Sequence, residues 1–454
     1  MNTPEWVKRA IFYHIYPLGL LDAPCHNDAN SPFVQRLNQL YPWLDHIQSL
    51  GVNSLYLGPL LESESHGYDT RDYFQLDHRL GTNQDLQDFV REVHHRGMHI
   101  ILDGVFNHSG RSFWAFEHIL EHQQQSPYCD WYQDLKFGQK NPLGDPFDYK
   151  TWDGHYSLPK FNLANSQVRQ HLLQAIQFWV DTFAIDGLRL DAADQVQIDF
   201  WQELRAQIST SHPDFWLIGE IVRGDYNQLA NEKSLHSVTN YEAYKGLYSS
   251  FNDANFFEIA HTLQRQFGQE GLYRNLMLYN FVDNHDVNRI ASQLQNLAHL
   301  YPLYALLFCL PGTPSIYYGS EWAIPGRRSA ASDSDLRPAL SLKEMQTQNP
   351  QPHLVKTIRR FSELRRQLPA LQSGNYRPAL VQAQQFAFWR EKENQKVLVV
   401  INSADEAISL EAIKVPQYRE WYDPLREQTQ TFMSADGLYL TVPANWLRVI
   451  VFNC

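Results

Sequence analysis

The chain has 454 residues, with 38 Lys plus Arg against 50 Asp plus Glu and a formal net charge of −12. Hydrophobic residues at 43% and charged residues at 19% describe a globular chain with a large core, and exclude disordered, collagen-like and heptad compositions. The negative balance repels phosphate backbones and anionic lipid surfaces, so neither nucleic acid nor membrane is an expected partner.

The amino terminus, MNTPEWVKRAIFYHIYP, carries charges where a signal peptide needs an apolar run, and a cytoplasmic location is expected. Apolar, strand-like runs at residues 11–16, 54–57, 100–106, 187–190, 216–220, 278–282 and 315–318 alternate with helix-period segments. Leu86, Phe89, Val90 and Val93 recur at helical spacing, with Thr82 and Asp85 as a capping box and Gly97 as the stop. Val168, Leu172, Ile176, Trp179 and Phe183 form a second stripe, and Ile358, Phe361, Leu364 and Leu368 a third. Residues 301–310 are the most apolar stretch, but they are bracketed by Pro302 and Pro311 and fall short of the ~20 residues of a membrane span, so they predict a buried helix.

Adding a fainter candidate at 237–241 makes eight strands, which predicts an α/β chain built on a (β/α)8 TIM barrel rather than an open doubly wound sheet. No Gly-rich phosphate loop follows any run. Residues 107–163 lose periodicity over a length too great for a strand-to-helix loop and predict a subdomain inserted after the third strand. Short alternating strands at 385–389, 397–402, 437–442 and 446–452 predict a C-terminal antiparallel β-domain. The expected division is therefore 1–106 with 164–370 as barrel, 107–163 as insert and 371–454 as β-sandwich. Cys25, Cys129, Cys309 and Cys454 match no zinc spacing or compact disulfide framework and are expected to be free thiols.

Chemistry-bearing residues cluster where strands end. Asp103, Asn107 and His108 follow residues 100–102 of the third run; Arg189 and Asp191 close the fourth; Glu220 ends the fifth; His285 and Asp286 follow the seventh. In a (β/α)8 barrel these ends build one pocket, and convergent carboxylates are what glycoside hydrolysis needs: one protonates the leaving oxygen while another attacks or stabilises the anomeric carbon. A serine hydrolase would need a G-x-S-x-G elbow, which is absent. His95 and His99 stand four apart, but Gly97 breaks the helix between them and no H-E-x-x-H occurs, so no metal centre is expected there.

The segments DGVFNH (103–108), GLRLDAAD (187–194), LIGE (217–220) and FVDNHD (281–286), in that order, resemble the four signature regions of the α-amylase family of glycoside hydrolases. GVNSLYLGPL (51–60), LPKFN (158–162) and GTPSIYYGSE (312–321) agree. HGYDTRDY (66–73) together with LPKFN looks most like the neopullulanase, cyclomaltodextrinase and maltogenic amylase group. The resemblance implies Asp191 as nucleophile, Glu220 as general acid/base and Asp286 as transition-state stabiliser. It implies Tyr68, His108, Arg189, His285, Asp333 and Arg337 as residues that hold the sugar, Tyr68 as the platform beneath its ring. It further implies an α-glucan oligosaccharide substrate, with α-1,4 bonds cut at least as well as α-1,6 bonds, and short dextrins favoured over starch. An α-glucan transglycosylase using the same residues is the alternative, and a non-catalytic sugar-binding protein is the alternative of another class.

Two physical expectations accompany these roles. Arg189 lies two residues before Asp191 on a strand, so both point to one face and the guanidinium should keep Asp191 ionised. Glu220, between Ile218 and Ile221 and facing other carboxylates, should hold a proton. The barrel begins within about ten residues of Met1, whereas members of that group commonly carry an extra amino-terminal domain, and a monomer or weak homodimer is expected. The tryptophan usual after the acid/base Glu is replaced by Ile221, Val222 and Arg223. No cofactor is expected to be required; calcium is conceivable at Asn107 but is not expected.

Overall fold

Eight short parallel strands form the centre of the computed structural model, which describes residues 3–28, 31–329, 332–415, 418–425 and 431–453. They are β1 (Phe12–Ile15), β2 (Ser54–Leu57), β3 (His99–Gly104), β4 (Gly187–Leu190), β5 (Trp216–Gly219), β6 (Ser237–Val238), β7 (Tyr279–Asn280) and β8 (Thr313–Tyr317). Their order is β6-β5-β4-β3-β2-β1-β8-β7, and a parallel Thr239–Tyr279 bridge brings β6 back to β7 to complete the ring. The expected TIM barrel is thus present. Strands β1, β2, β4 and β5 are buried at every position, which is why they read as continuous apolar runs rather than alternating ones.

Phe12, Tyr56, Ile101, Trp216, Ile218, Tyr279 and Phe281 fill the ring, with the Phe12 and Trp216 rings stacked at 5.5 Å. The surrounding helices bury their stripes outside it. Helix Asn83–His95 opens with the expected Thr82–Asp85 capping box, and Gly97 takes φ +70° just past its end, where a side chain would be strained. Helices Ser166–Phe183 and Pro352–Gln367 carry the other two stripes. The apolar stretch near 301–310 is the buried helix Leu300–Cys309, and no helix among the described residues is long and apolar enough to cross a membrane.

Strands β6 and β7 are only two residues each, shorter than the runs at 237–241 and 278–282. Helix Tyr241–Asn252 begins immediately after β6 because the Asn240 side chain accepts from the Ala243 amide and starts the turn. Between β3 and helix Ser166–Phe183 the chain makes the helix Trp114–His122 and two small hairpins, Lys136–Phe137 with Phe147–Asp148 and Thr151–Trp152 with His155–Pro159. Sequence reading found no helix there, since Ala115, Phe116 and Ile119 make too short a stripe. It also missed the hairpin Leu61–Ser63 with Thr70–Leu76, which presents Tyr68 from its turn.

At the C-terminus a five-stranded and a three-stranded antiparallel sheet enclose Trp389, Leu398, Val400, Leu438 and Leu440. A buried arginine stitches these sheets to the barrel: Arg390 donates to the Cys309 carbonyl at 2.6 Å, and together with Arg365 of helix Pro352–Gln367, which donates to the Phe308 carbonyl at 2.9 Å, it satisfies the open end of helix Leu300–Cys309. Cys25, Cys129 and Cys309 are free thiols; Cys454 lies outside the described residues.

Candidate active site

The side chains at the ends of β3, β4, β5 and β7 meet at one mouth of the barrel. Arg189 pairs in register with Asp103 on one side and Ile218 on the other, and the two-residue period of a strand puts Arg189 and Asp191 on the same inward face. The buried Arg189 guanidinium lies 2.8 Å from Asp103 Oδ1 and 2.9 Å from Asp191 Oδ1 through Nη1, and 2.7 Å from Glu220 Oε1 through Nη2. A planar fork of fixed charge can hold three carboxylates in this way, where a lysine ammonium could not. Ala192 takes a left-handed φ of +43°, and its amide points at Glu220 Oε2 from 3.2 Å. So the turn after Asp191 fastens Glu220 from a second direction.

Asp286 is held from the opposite wall. His285 Nε2 is 2.9 Å from its Oδ2, and Arg337 Nη2 donates to its Oδ1 at 3.0 Å. Arg337 also donates to the His285 carbonyl at 3.0 Å and to Asp333 Oδ2 at 3.4 Å, while its guanidinium covers the Tyr16 ring at 4.7 Å. Tyr68 donates to Asp103 Oδ2 at 2.9 Å, touches His285 Nε2 through the same hydroxyl, and lies nearly parallel to the His285 ring. Asp103 therefore joins both walls, accepting from Tyr56, Tyr68 and Arg189.

A cavity of about 410 Å³ opens over this network, lined by Tyr68, His108, Asp191, Glu220, Tyr241, Asp286, Asp333 and Arg337 among others. Arg189 and His285 do not line it; they sit beneath, acting on the carboxylates rather than on anything in the cavity. His108 lines it, yet both its nitrogens are engaged. Nε2 donates to the Tyr68 carbonyl at 3.1 Å, which leaves Nδ1 to accept from Asn107 at 3.1 Å, and burial pushes its pKa down to about 3. The nine expected site residues are thus brought together: seven line the cavity, His108 among them with both ring nitrogens already partnered, while Arg189 and His285 sit behind it.

The charge balance departs from expectation. Arg189 is not reserved for Asp191 but shared with Glu220, so Glu220 is not an unpaired acid. At Asp191 burial pushes the carboxyl well above the usual range, Arg189 opposes it, and the charges of Glu220, Asp103 and Asp286 reinforce the rise. At Asp286 burial acts the same way, but His285, Arg337 and Arg189 outweigh it and hold the carboxyl well below that range.

Sequence reading missed Tyr241, whose hydroxyl donates to Glu220 Oε1 at 3.1 Å and accepts from Asn284 at 3.1 Å. The only hint was its place just after the faint sixth run. It also gave no role to Trp152 or Arg328, which line the cavity from the insert and from the segment after β8.

Asn107 Oδ1 is buried without a partner, and a group of three His, Asp or Glu side chains, Glu62, Asp77 and His78, lies elsewhere in the fold. There Arg71 pairs with Glu62 and Arg79 with Asp77, so cations already occupy both carboxylates.

Comparison with known proteins agrees with this architecture. Residues 27–363 match the family described as alpha amylase, catalytic domain. The chain is 30% identical over 421 residues to a cyclomaltodextrinase of a Bacillus species, covering 88% of this chain and 74% of that protein. It is 31% identical to neopullulanase 2 of Thermoactinomyces vulgaris, covering 93% of this chain and 74% of the relative. The solved cyclic α-maltosyl-(1→6)-maltose hydrolase from Arthrobacter globiformis, in complex with cyclic α-maltosyl-(1→6)-maltose, superposes with a TM-score of 0.84 at 27% identity over 99% of this chain and 100% of that one. The chain is a member of the α-amylase family of glycoside hydrolases.

Proposed function

We propose that the chain cleaves α-1,4-glucosidic bonds of short linear or cyclic maltodextrins with retention, with Asp191, Glu220 and Asp286 as its catalytic carboxylates. The observation that supports this most is the sharing of Arg189 between Asp191 and Glu220 at the floor of one cavity, with Asp286 on the facing wall. Asp191 attacks the anomeric carbon as the glycosidic C–O bond breaks, and the departing oxygen keeps the bonding pair and takes the proton of Glu220. Water then gives a proton back to Glu220 and displaces Asp191. Asp286, kept ionised by His285 and Arg337, stabilises the positive charge that builds on the ring. Tyr68 supplies the stacking platform, Asp333 and Arg337 the far wall, and His108 fixes the backbone of Tyr68. The division into barrel (1–106, 164–370), insert (107–163) and C-terminal domain (371–454) belongs to the same reading, since the insert supplies one wall.

Ala192, where α-1,6-specific relatives resemble one another in carrying valine, supports the linkage, and walls from the insert and from Arg328, Asp333 and Arg337 favour short chains over polymer. A product profile on maltotriose, starch, pullulan and cyclodextrins, with the released anomer followed by NMR, tests it. Release of the α-anomer from maltotriose is expected. Release of the β-anomer would exclude the covalent route, isomaltose cut faster than maltotriose would exclude the linkage, and starch leading would exclude the size preference.

A further inference from the structure

The catalytic cavity does not end at Glu220. Two further hollows open from it: one of about 660 Å³ toward the insert, which shares Trp152, Glu220 and Val222 with it, and one of about 760 Å³ between helices Tyr241–Asn252 and Phe257–Phe267, which shares Val222 and Tyr241. Val222 is the residue common to all three, and it is 51% exposed. It stands in the loop after β5, two residues beyond Glu220. Asp333 and Arg337 close the opposite end of the catalytic cavity and reach neither hollow.

We infer that the leaving-group side is forked at Val222 and takes α-glucans whose leaving glucose carries two arms, that is, a glucose at a branch point. The inference rests on Glu220 being the proton donor: the leaving oxygen lies beside that carboxyl, so space opening from Glu220, Val222 and Tyr241 is space for the leaving group. A leaving glucose gives one oxygen to the breaking bond. If it continues through both its anomeric oxygen and another hydroxyl, two chains must diverge within one residue of the acid, and a bulky ring at position 222 would block one of them.

The chemistry of each arm suits neutral sugar. In the larger arm Phe257 is 54% exposed and Tyr244 lies on the wall, two ring faces for the C–H face of a pyranose. Lys245 pairs with Glu258 and Arg265 with Glu242 along the same walls. These pairs present donors and acceptors side by side, which matches hydroxyls, and Arg223 on the same lining adds a further exposed guanidinium donor. In the other arm Trp152 stacks on His155 at 5.6 Å, Lys160 donates to the Gln195 carbonyl at 3.1 Å, and Asp194 is exposed. Both volumes fall within the ~300–1,000 Å³ of small-molecule sites.

The test compares linear maltohexaose with a hexasaccharide of the same composition that carries one α-1,6 branch. The branched sugar is expected to give the higher kcat/KM, and Val222→Trp, which fills the junction, to lower the branched-to-linear ratio by about tenfold. Phe257→Ala should lower the same ratio by a smaller factor. A substitution that merely disturbs the loop would lower both rates together. Calorimetric binding of both sugars to Asp191→Asn protein separates this inference from the hydrolytic reading: tighter binding of the branched sugar, abolished by adding Val222→Trp, upholds the fork even if neither sugar is hydrolysed. Equal rates and equal binding for the two hexasaccharides, or a ratio unmoved by both substitutions, would overturn it.

Discussion

The two ends of β4 place the same kinds of charge in opposite balance. Just before the strand, Asp186 accepts from His94 Nε2 at 2.9 Å and from the Ile100 amide at 2.8 Å, and His99 Nδ1 lies 3.3 Å away with Trp6 stacked on its ring at 4.3 Å. Burial would raise its carboxyl, but these partners outweigh burial and pull it down to about 2. At the other end one guanidinium serves Asp103, Asp191 and Glu220, and burial with mutual repulsion pushes Asp191 up. One end is satisfied and ties the barrel together; the other is short of positive charge and is ready to exchange protons. In a (β/α)8 barrel the amino-terminal face reads as stability and the carboxyl-terminal face as chemistry, and here one strand shows both.

The sharpest way to break the comparison is to remove charge at the carboxyl end. Asp191→Asn should lower kcat on maltotriose by roughly 10⁴-fold. It should not destabilise the fold. A carboxyl whose folded pKa is raised costs stability in its ionised form at pH 7, so Asn in its place should leave urea unfolding unchanged or slightly more resistant. A large loss of stability would mean that Asp191 is structural. Glu220→Gln should lower turnover of maltotriose by about 10²–10⁴-fold, and much less for an aryl glycoside whose leaving group departs without a proton. Equal losses on both substrates would remove Glu220 from the acid role.

How far the sequence discloses this depends on the kind of interaction. The eight strands, the capping box at Thr82 and the strand-end placement of Asp191, Glu220 and Asp286 follow from local pattern and chain order, which short segments record. The sharing of Arg189 with Glu220 was not legible, because it depends on β4 and β5 lying side by side with Ile218 opposite Arg189. Tyr241 was hidden for the same reason: β6 is two residues long, and nothing in its run marks a hydroxyl that reaches back across the mouth. The engaged nitrogens of His108 depend on the Tyr68 carbonyl forty residues away, presented by a hairpin with no periodic signature.

Arg189→Leu sharpens the comparison from the side of stability. Removing the shared guanidinium leaves the buried Asp103 and Asp191 and the part-buried Glu220 without their cation, and the expected cost is about 3–5 kcal/mol at pH 7. The sign with pH follows. Without Arg189 the Asp191 carboxyl, already raised by burial, binds its proton still more tightly in the folded chain than in the unfolded one, so the cost should shrink as pH falls from 7 toward 4. Urea melts at the two pH values check it, and a cost that grows on acidification would contradict the charge balance drawn here.

The smallest effect is expected at the amino-terminal end, from Asp186→Asn. A carboxyl held at about 2 contributes stability that is present above its unfolded value and is lost as pH falls through its folded one. His94 is raised by its hydrogen bond to Asp186, so its share is present below the ordinary histidine range and lost as pH rises through the raised value. The two together favour a window between about pH 4 and pH 6.5. The His94 side chain is 35% exposed, and solvent screens that half of the pair, so the whole is expected to cost only about 1–2 kcal/mol near pH 5.5 and less on either side. Activity per folded molecule should be unchanged, because Asp186 touches nothing in the cavity. Thermal melts of Asp186→Asn across that range, set beside its kcat on maltotriose, decide whether the two ends of β4 are as separate as their charge balance implies: loss of turnover without loss of stability would show that they are not.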